Sequence, residues 1–341
     1  MEHAVNRQWR IARRPEGLAR VTDFEWTESP VPRPGADEAL VRNRLLSLDP
    51  TNRSWMSERE TYLPPLSLGD VMRGIGVATV VESNNPAFRV GMPVYGVFGW
   101  QDYAIVGPRD LVAQLPEDPE LPLTIHLGLF GHVGMTAYFG LVDVAKPKPG
   151  ETLVVSGAAG AVGSLVGQLG KDLGCRVVGI VGTREKCQWL TNELGFDAAV
   201  NYREAVRLVD ALAQQCPHGI DVYFDNVGGE TLEAALDLIN VRARLALCGM
   251  ISVYNESSRD GYSPGGPRNL FKVIIKRARM EGFLVLDYWN RAAEAFEALA
   301  RLHQAGKLKY RVHVIDGLEN APMAMNMLFD GSNQGKLVVK I

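Results

Sequence analysis

Val154-Val-Ser-Gly-Ala-Ala-Gly-Ala-Val-Gly163 starts in a short apolar segment and runs into a segment with the apolar spacing of a helix. Gly160 and Gly163 have the spacing of the second and third glycines of a dinucleotide-binding turn, with Ala158 at the first position. In such a turn one glycine lets the backbone approach a pyrophosphate, and the next lets helix and strand pack closely. The first amide groups of the helix bind the anion. The stretch therefore predicts a nucleotide-binding site between a strand and a helix.

The chain from residue 150 onward alternates between apolar runs typical of buried strands and longer segments typical of helices. The predicted strands are residues 152–156, 176–181, 198–200, 220–224, 243–248 and 282–286, and the predicted helices are residues 162–173, 185–194, 203–215, 230–239 and 291–304. Such alternation is typical of a doubly wound parallel sheet with helices on both faces. We therefore predict an α/β fold with a Rossmann-type nucleotide-binding domain over residues 126–309.

The amino-terminal part of the chain has a different character. Residues 1–122 are rich in proline, glycine and short β-type runs, which is typical of a mainly β, partly open barrel. The last segment returns to a strand–helix–strand pattern, and we expect it to rejoin the amino-terminal domain. A second domain is therefore predicted from residues 1–125 and 310–341, which suits a chain of 341 residues that is too long for one ordinary core.

The composition is that of a globular protein, with 46% hydrophobic and 22% charged residues. A formal net charge of -3 argues against nucleic-acid or anionic-membrane partners, since both favour a basic surface. No apolar run reaches the roughly 18 residues of a membrane span, and the first residues lack the apolar core of a secretion signal. The four cysteines are far apart, so we expect neither a disulfide scaffold nor a structural zinc site, and we expect a cytoplasmic location.

The end of the second predicted strand bears on the choice between NAD and NADP. An NAD site usually has a carboxylate there, about 20 residues after the glycine loop, which binds the adenosine ribose. This chain instead reads Gly182-Thr183-Arg184-Glu185-Lys186. Thr183, Arg184 and Lys186 favour a 2′-phosphate, and hence NADP(H), although Glu185 adds an opposing charge. The alternative is that Arg184 and Lys186 are solvated charges in the first turn of a helix.

Several motifs occur along the chain in the order in which a known family has them. They are Gly140-Leu141, Ser156-Gly-Ala-Ala-Gly-Ala-Val-Gly-Ser164, Asp225-Asn-Val-Gly-Gly229, Cys248-Gly-Met-Ile-Ser-Val-Tyr254 and Asn333-Gln-Gly-Lys336. Over nearly the whole chain the sequence resembles the zinc-free medium-chain dehydrogenases/reductases, in particular the branch of prostaglandin reductases, alkenal double-bond reductases and curcumin reductases. The resemblance implies a GroES-like catalytic domain made from both chain ends, a Rossmann domain between them and a homodimer. It also implies NADPH-dependent reduction of the carbon–carbon double bond of α,β-unsaturated ketones and aldehydes.

The same resemblance implies roles for individual residues. Lys186 would bind the 2′-phosphate, Tyr202 would flank the adenosine, and the hydroxyl of the catalytic residue Tyr254 would stabilise the enolate oxygen together with a ribose hydroxyl of the cofactor. With the residues at the strand end included, the predicted cofactor-binding residues are Gly160, Ala161, Val162, Gly163, Thr183, Arg184, Lys186, Tyr202, Asn226, Cys248, Gly249, Met250, Ile251, Ser252, Val253, Tyr254, Phe283, Leu284, Val285 and Asn333. The alternative for Tyr254 is that its ring only packs against the cofactor.

The chain departs from the family at a place where the family often reads Asp-Pro-Tyr-Met, with a tyrosine thought to face the substrate. Here the sequence is Asp49-Pro-Thr-Asn-Arg-Ser-Trp-Met56, so Thr51 replaces that tyrosine. We therefore expect the substrate pocket to differ from that of the family. The candidate substrate-lining residues are Thr51, Trp55, Tyr62 and Tyr288, with Trp100 also available. Core packing is the alternative for each aromatic residue.

We expect no catalytic zinc site. Zinc-dependent relatives carry an early cysteine and a Gly-His-Glu triplet, whereas the first cysteine here is Cys175 and neither His126 nor His132 has an acidic or thiol neighbour. Hydride addition to a conjugated double bond needs only one or two hydrogen bonds to the developing enolate. The sequence therefore predicts an NADPH-dependent, zinc-free reductase of a small unsaturated carbonyl compound. A quinone reductase of the same superfamily and a cofactor-binding protein without turnover are the alternatives.

Overall fold

The computed structural model describes residues 5–58, 61–116, 118, 120–256 and 266–341. Two compact units are present. One contains the described residues of Met1–Leu127, Tyr254–Gly261 and Val312–Ile341, and the other contains those of Gly128–Val253 and Tyr262–Arg311. Among the described residues, no helix combines the length and the apolar character needed to cross a membrane.

The helices and strands follow one another in three blocks along the chain. The first block consists of β1 (Val5–Ile11), β2 (Phe24–Pro30), β3 (Ala39–Leu48), α1 (Thr51–Trp55), β4 (Ile75–Ser83), β5 (Pro93–Val97), β6 (Tyr103–Val106) and β7 (Ala113–Gln114). The second consists of α2 (His132–Phe139), β8 (Thr152–Ser156), α3 (Ala161–Asp172), β9 (Arg176–Val181), α4 (Arg184–Asn192), β10 (Ala198–Asn201), α5 (Leu208–Gln215), β11 (Ile220–Asp225), α6 (Gly229–Leu238), β12 (Ile239–Leu247), α7 (Phe271–Lys276), β13 (Arg279–Gly282) and α8 (Ala292–Gln304). The third consists of β14 (Val312–Asp316), α9 (Ala321–Asp330) and β15 (Lys336–Lys340).

The strands of the second block form one parallel sheet in the order β10-β9-β8-β11-β12-β13. Every residue of β8 is buried, as is typical of a parallel strand with both faces covered. The strand order reverses between β8 and β11, and ligands of such sheets bind at the carboxyl ends of the strands at this switch point. The predicted Rossmann-type fold is therefore confirmed, and the predicted bounds of β8 and β9 agree with the structure.

One predicted strand of this unit is wrong. Residues 282–286 do not form a strand, because the edge strand is β13 and Val285–Arg291 is a 3-10 helix. Phe283 accounts for the apolar run, since its ring packs edge-on against Phe224 with 6.1 Å between the centroids. β13 itself has a single neighbouring strand and is mostly polar, so it lacks the apolar pattern of a buried strand.

A second element starts later than predicted. The helix expected over residues 203–215 begins only at Leu208. The side chain of Asn201 accepts a 3.1 Å hydrogen bond from the amide of Arg203, so the chain makes a turn directly after β10. This turn holds Tyr202 and Arg203 at the carboxyl end of the strand instead of within a helix.

The other unit is mainly β, as predicted. Strands β1 and β2 form an antiparallel pair, and a larger sheet has the order β14-β15-β3-β4-β5-β7, with β6 also paired to β3. β15 runs antiparallel to β3, with Val339 opposite Leu46. The last segment of the chain therefore rejoins the amino-terminal strands, as expected. The largest buried side chains of the core include those of Trp9, Trp55 and Trp100.

Candidate active site and cofactor-binding residues

The glycine loop between β8 and α3 is a tight turn. Gly157 has a φ of +57°, which favours glycine, and its carbonyl oxygen accepts a 2.9 Å hydrogen bond from the amide of Gly160. A Cβ on Gly163 would lie 2.4 Å from that same carbonyl oxygen, so no side chain fits at this position. Helix α3 therefore packs directly against the loop, with its first amide groups at the carboxyl end of β8. This close approach is what the pyrophosphate of a dinucleotide requires, and the loop fits that group.

The switch point between β8 and β11 is held together by side chains. The hydroxyl of Ser156, the last residue of β8, donates a 2.8 Å hydrogen bond to Asp225 Oδ1 and accepts one of 2.8 Å from the amide of Asn226. The side-chain amide of Asn226 donates a 2.7 Å hydrogen bond to the carbonyl oxygen of Ser156. Asn226, a predicted cofactor-binding residue, is therefore fixed beside the glycine loop.

Asp225 is a fully buried carboxylate at this point. Its Oδ1 accepts four hydrogen bonds, from the hydroxyls of Ser156 and Tyr223 and from the amides of Val227 and Gly228. Its Oδ2 has no hydrogen-bond partner in the part of the chain that the structure describes. Burial raises the pKa of Asp225, although the hydrogen bonds from its neighbours oppose this shift. The carboxylate thus organises the two loops that follow β8 and β11.

The segment Cys248–Tyr254, which follows β12, lies along the loop that follows β11. The amides of Cys248 and Gly249 donate hydrogen bonds of 2.9 and 3.1 Å to the carbonyl oxygen of Asp225. The hydroxyl of Ser252 donates a 2.6 Å hydrogen bond to the carbonyl oxygen of Val227. Desolvation raises the pKa of the Cys248 thiol to about 12, so the thiol is protonated at neutral pH and is no nucleophile. The backbone of the segment is therefore held at the carboxyl end of the parallel sheet.

Four predicted residues of this segment, Ile251 to Tyr254, lie at its end. Ile251–Val253 is a short 3-10 helix, and Tyr254, which directly follows it, is half-buried. The chain passes at this point from the nucleotide-binding unit to the mainly β unit. The catalytic role of Tyr254 stays a prediction.

The amino terminus of α4 follows the end of β9, where the 2′-phosphate site is predicted. Thr183 is the N-cap of this helix, and its hydroxyl oxygen accepts a 3.2 Å hydrogen bond from the amide of Lys186. Glu185 accepts hydrogen bonds from its own amide and from Thr183, and these lower its pKa. Arg184 forms an ion pair with Glu204: its Nε lies 2.8 and 3.0 Å from the two carboxylate oxygens.

Tyr202 and Arg203 lie against the backbone of Gly182. The amide of Tyr202 donates a 3.0 Å hydrogen bond to the carbonyl oxygen of Val181, the last residue of β9. The guanidinium of Arg203 lies 5.7 Å from the centre of the Tyr202 ring, and its Nε lies 3.3 Å from the phenol oxygen. A Cβ on Gly182 would lie 3.1 Å from Tyr202 Cε1 and 3.3 Å from Arg203 Nε. Gly182 therefore provides the space that both side chains occupy.

The residues predicted to complete the nicotinamide pocket from the region after β13 differ in burial. Phe283 is half-buried against Phe224 and close to Gly140, where a Cβ would lie 2.3 Å from the Phe283 ring. Val285 packs on the cluster around Phe139, whereas Leu284 is exposed.

Tyr288, a candidate substrate-lining residue, lies in an aromatic cluster of the nucleotide-binding unit. Its ring stacks on Phe139 with 4.5 Å between the centroids, and the Arg291 guanidinium lies 5.8 Å from the centre of the ring. These contacts give Tyr288 a packing role, and a substrate contact stays a prediction.

The other candidate substrate-lining residues belong to the mainly β unit. The hydroxyls of Thr51 and Tyr62 lie 2.6 Å apart, at hydrogen-bond distance. Tyr62 is partly exposed, and burial of its phenol raises its pKa, so the phenol is protonated at neutral pH. Trp55 and Trp100 are buried in the core, which favours the packing alternative for both.

Asn333 and Lys336 are the polar residues of the carboxyl-terminal motif. The side chain of Asn333 is buried, and its amide donates a 3.0 Å hydrogen bond to the carbonyl oxygen of Gly335. The ammonium of Lys336 is buried and donates hydrogen bonds of 2.8 Å to Asp49 Oδ1 and to the carbonyl oxygen of Leu48. This ion pair fixes the start of the turn that carries Thr51.

Comparison with known proteins adds an independent finding. Residues 7–113 match the family model described as the N-terminal domain of oxidoreductase, and residues 161–302 match the one described as zinc-binding dehydrogenase. The chain is 43% identical to the NADPH-dependent curcumin reductase of Escherichia coli K12, over 98% of this chain and 97% of that protein. It is 44% identical to the NADP+-dependent 2-alkenal reductase of Nicotiana tabacum, over 90% of this chain and 88% of the relative.

The chain belongs to the medium-chain dehydrogenase/reductase family, in the branch of the curcumin, alkenal and prostaglandin reductases. The crystal structure of CurA from Vibrio vulnificus in complex with NADPH has the same fold, with a TM-score of 0.92 and 43% identity over 98% of both chains. The family resemblance inferred from the motifs is therefore confirmed.

The description of the second family model mentions zinc, and the donor set of this medium-chain dehydrogenase/reductase bears on that point. Within the described residues, no three His, Cys, Asp or Glu side chains are grouped closely enough to hold a metal ion. Burial raises the pKa of the Cys175 thiol to about 11, so this thiol is protonated at neutral pH. Zinc binding prefers deprotonated thiolates and grouped ligands, so the described residues do not fit a catalytic zinc ion.

Three features of this family member were not predicted from the sequence. Asp225 is part of a predicted motif but was not predicted to have a role of its own, although an acidic residue at the end of a buried strand signals a buried carboxylate. Arg203 follows a predicted cofactor residue directly, and its charge at a strand end was the available signal. No pattern in the sequence indicates the ion pair between Lys336 and Asp49, because the two residues lie 287 positions apart.

Proposed function

We propose that this chain is an NADPH-dependent reductase of the carbon–carbon double bond of α,β-unsaturated ketones and aldehydes. The observation that supports it most is the near full-length identity of 43 to 44% to relatives named as curcumin reductase and 2-alkenal reductase. The glycine loop at the switch point supports the dinucleotide, and the basic residues after β9 support its 2′-phosphate.

Different residues of the chain bind the two halves of the cofactor. The amides of residues 160–163 bind the pyrophosphate, and Thr183, Lys186 and Tyr202 bind the adenosine end. Asn226, the segment that follows β12 and the predicted residues 283–285 line the nicotinamide half, to which the family resemblance also assigns Asn333. When bound, NADPH supplies a hydride for the β-carbon of the substrate.

The phenol of Tyr254 is the proposed catalytic group of this chain. It donates a hydrogen bond to the carbonyl oxygen of the substrate, where negative charge develops as the hydride adds to the β-carbon. A donor placed at that oxygen stabilises the transition state more than the ground state. The α-carbon receives its proton from water or from a phenol.

Thr51 and Tyr62 supply a second polar contact for the substrate. Two hydroxyls at 2.6 Å share one proton in their mutual hydrogen bond, and the other proton stays available for an acceptor. The pair therefore presents a hydrogen-bond donor although the tyrosine usual at position 51 is absent. A small carbonyl compound has an acceptor of the matching kind.

A quinone reductase and a protein that binds NADPH without turnover are the alternatives. We expect a panel assay of NADPH oxidation to give turnover with enals and enones, with a smaller value of kcat/KM for quinones. Turnover with quinones alone would support the first alternative. NADPH binding without oxidation in the presence of any conjugated carbonyl would support the second.

We also propose a cytoplasmic homodimer. Among the described strands β13 is an edge strand, and next to it in the chain α7 exposes the apolar side chains of Phe271 and Ile274. An open edge beside exposed apolar residues favours pairing with a second copy. Sedimentation analysis is expected to give a dimer, and F271E/I274E is expected to give a monomer. A wild-type monomer would contradict the proposal.

A further inference from the structure

The sequence offers three basic residues near the end of β9, and the structure gives them different surroundings. Arg184 and Lys186 belong to the first turn of α4, whereas Arg203 follows β10. Parallel neighbours β9 and β10 end at the same edge of the sheet, with Asn201 opposite Val181. Arg203 therefore comes to the end of β9 from the adjacent strand.

The charge of Arg184 is already satisfied by a protein group. Its Nε lies between the two oxygens of the Glu204 carboxylate, at 2.8 and 3.0 Å. A phosphate that binds Arg184 must compete with this carboxylate for the guanidinium. It must also lie close to a second negative charge. Arg184 and Glu204 together are electrically neutral, so they contribute little attraction for a dianion.

The guanidinium of Arg203 is held in one place by its neighbours. Its Nε contacts the phenol oxygen of Tyr202 at 3.3 Å, and the group lies against the ring of that tyrosine. The hydrogen bond from its amide to Asn201 fixes the backbone of the turn. A guanidinium held beside a phenol loses less freedom when it binds a phosphate than an unrestrained one does, and its planar form suits two parallel hydrogen bonds to phosphate oxygens.

Gly182 shows where this arginine lies with respect to the cofactor. It is the residue directly after β9, and in NAD-dependent sheets of this type the carboxylate for the adenosine ribose belongs in this region. Its missing side chain leaves room for the Tyr202 ring and for Arg203 Nε, which a Cβ would approach to within 3.1 and 3.3 Å. A cation thus lies where an NAD enzyme has an anion.

We propose that Arg203 is a second cation, beside Lys186, that selects NADPH over NADH at the 2′-phosphate, and that Glu204 keeps Arg184 out of this contact. The proposal rests on the proposed use of NADPH. Lys186, predicted from the family resemblance, acts beside Arg203 and is not replaced by it.

The test measures binding of two fragments that differ by the 2′-phosphate, 2′,5′-ADP and 5′-AMP, by isothermal titration calorimetry on the full chain. R203A is expected to weaken 2′,5′-ADP about 10- to 100-fold and to change 5′-AMP less than about twofold. R203K should keep part of the affinity for 2′,5′-ADP that R203A loses. Lysine carries the same charge as arginine but lacks the planar guanidinium with its parallel donors. R207A removes an equal charge four positions away and serves as the control, with an expected change below about twofold.

The second arm concerns the pair Arg184 and Glu204. R184A alone is expected to weaken 2′,5′-ADP less than about threefold, because its charge is already paired. E204Q is expected to tighten 2′,5′-ADP by about two- to tenfold, and R184A/E204Q should lose that gain. K186A is the positive control, and it should weaken the binding of 2′,5′-ADP more than the binding of 5′-AMP.

Three results would overturn the proposal. Equal weakening of both fragments by R203A would mark a structural role. A larger loss of 2′,5′-ADP affinity in R184A than in R203A would reverse the assignment. Equal affinity of the wild-type chain for the two fragments would remove the preference for NADPH itself, so this result alone would also contradict the proposed cofactor.

Discussion

The ammonium of Lys336 lies 2.8 Å from Asp49 Oδ1, in an ion pair of the mainly β unit whose lysine is buried and whose carboxylate is partly buried. Lys336 begins β15 at the carboxyl end of the chain, and Asp49 directly follows β3 near the amino end. The other oxygen of Asp49 accepts a hydrogen bond from the hydroxyl of Ser47. The pair therefore links the two chain ends and fixes the turn that carries Thr51.

Lys336→Met should destabilise the protein strongly, because it leaves the mostly buried carboxylate of Asp49 without its cation. Removing one partner of a buried ion pair costs about 3 to 5 kcal/mol. Lys307→Met is the matched control, since Lys307 and Asp172 are also 2.8 Å apart but the lysine is mostly exposed. An exposed pair contributes at most about 1 kcal/mol. The free energy of unfolding of both variants is measured by urea denaturation. Equal losses of stability in the two variants would contradict the structural role of Lys336.

Asp225→Asn tests the buried carboxylate at the switch point. Asn Oδ1 keeps the acceptor of the four hydrogen bonds, and Nδ2 replaces the oxygen that has no partner among the described residues. Because burial raises the pKa of Asp225, its contribution to stability is present below the unfolded pKa and is lost as pH rises through the folded pKa.

The stability of Asp225→Asn relative to the wild type should therefore increase as the pH rises from the unfolded pKa of an aspartate through the raised folded pKa of Asp225. Asp225→Ala, which removes the acceptor, should be destabilised throughout that range. Thermal unfolding at several pH values provides the measurement. A relative stability of Asp225→Asn that falls as the pH rises would show that the pKa of Asp225 is depressed.

The sequence predicted the buried parts of the nucleotide-binding unit well, for a physical reason. β8 and β9 are covered on both faces, so their apolar runs have the same bounds as the strands. β13 is a mostly polar edge strand, and the apolar run after it packs on Phe224, which led to the wrong strand at residues 282–286.

The candidate site was predicted less completely than the fold. The glycine loop and Asn226 were recognisable because local motifs carry them. The partners of Arg184 and Thr51 were not, since Glu204 and Tyr62 lie 20 and 11 residues further along the chain and only the fold brings them near. The positions of ion pairs and hydroxyl pairs depend on tertiary packing, and no periodic pattern in the sequence encodes them.

Metal removal is expected to leave activity unchanged. The described residues contain no grouped ligands for zinc, and a hydrogen bond to the enolate oxygen performs the task that a Lewis acid has in zinc-dependent relatives. Turnover of an enone should be the same before and after dialysis against a strong chelator. Loss of turnover on chelation, restored by added zinc, would refute the metal-free mechanism.

Tyr254→Phe keeps the ring and deletes only the hydroxyl of the proposed catalytic residue. Loss of one donor to a developing oxyanion usually lowers the rate about 100- to 1,000-fold. We expect about 10- to 100-fold here, because a ribose hydroxyl of bound NADPH would share the contact and water can deliver the proton. NADPH affinity should change less than about twofold.

Tyr103→Phe is the control for the loss of a phenol, since Tyr103 lies on β6 and its ring packs with Arg42. Its turnover should match that of the wild type. Unchanged turnover of Tyr254→Phe on an enone, together with weaker NADPH binding, would leave Tyr254 with a packing role only.

The position of the transferred hydride tests the proposed reaction most directly. NADPH carrying deuterium at the reactive position of the nicotinamide is mixed with the enzyme and a small enone, and the product is examined by NMR. We predict a saturated ketone with deuterium on the β-carbon. Deuterium on the carbinol carbon of an allylic alcohol would contradict the proposal, because the hydride would then have gone to the carbonyl group.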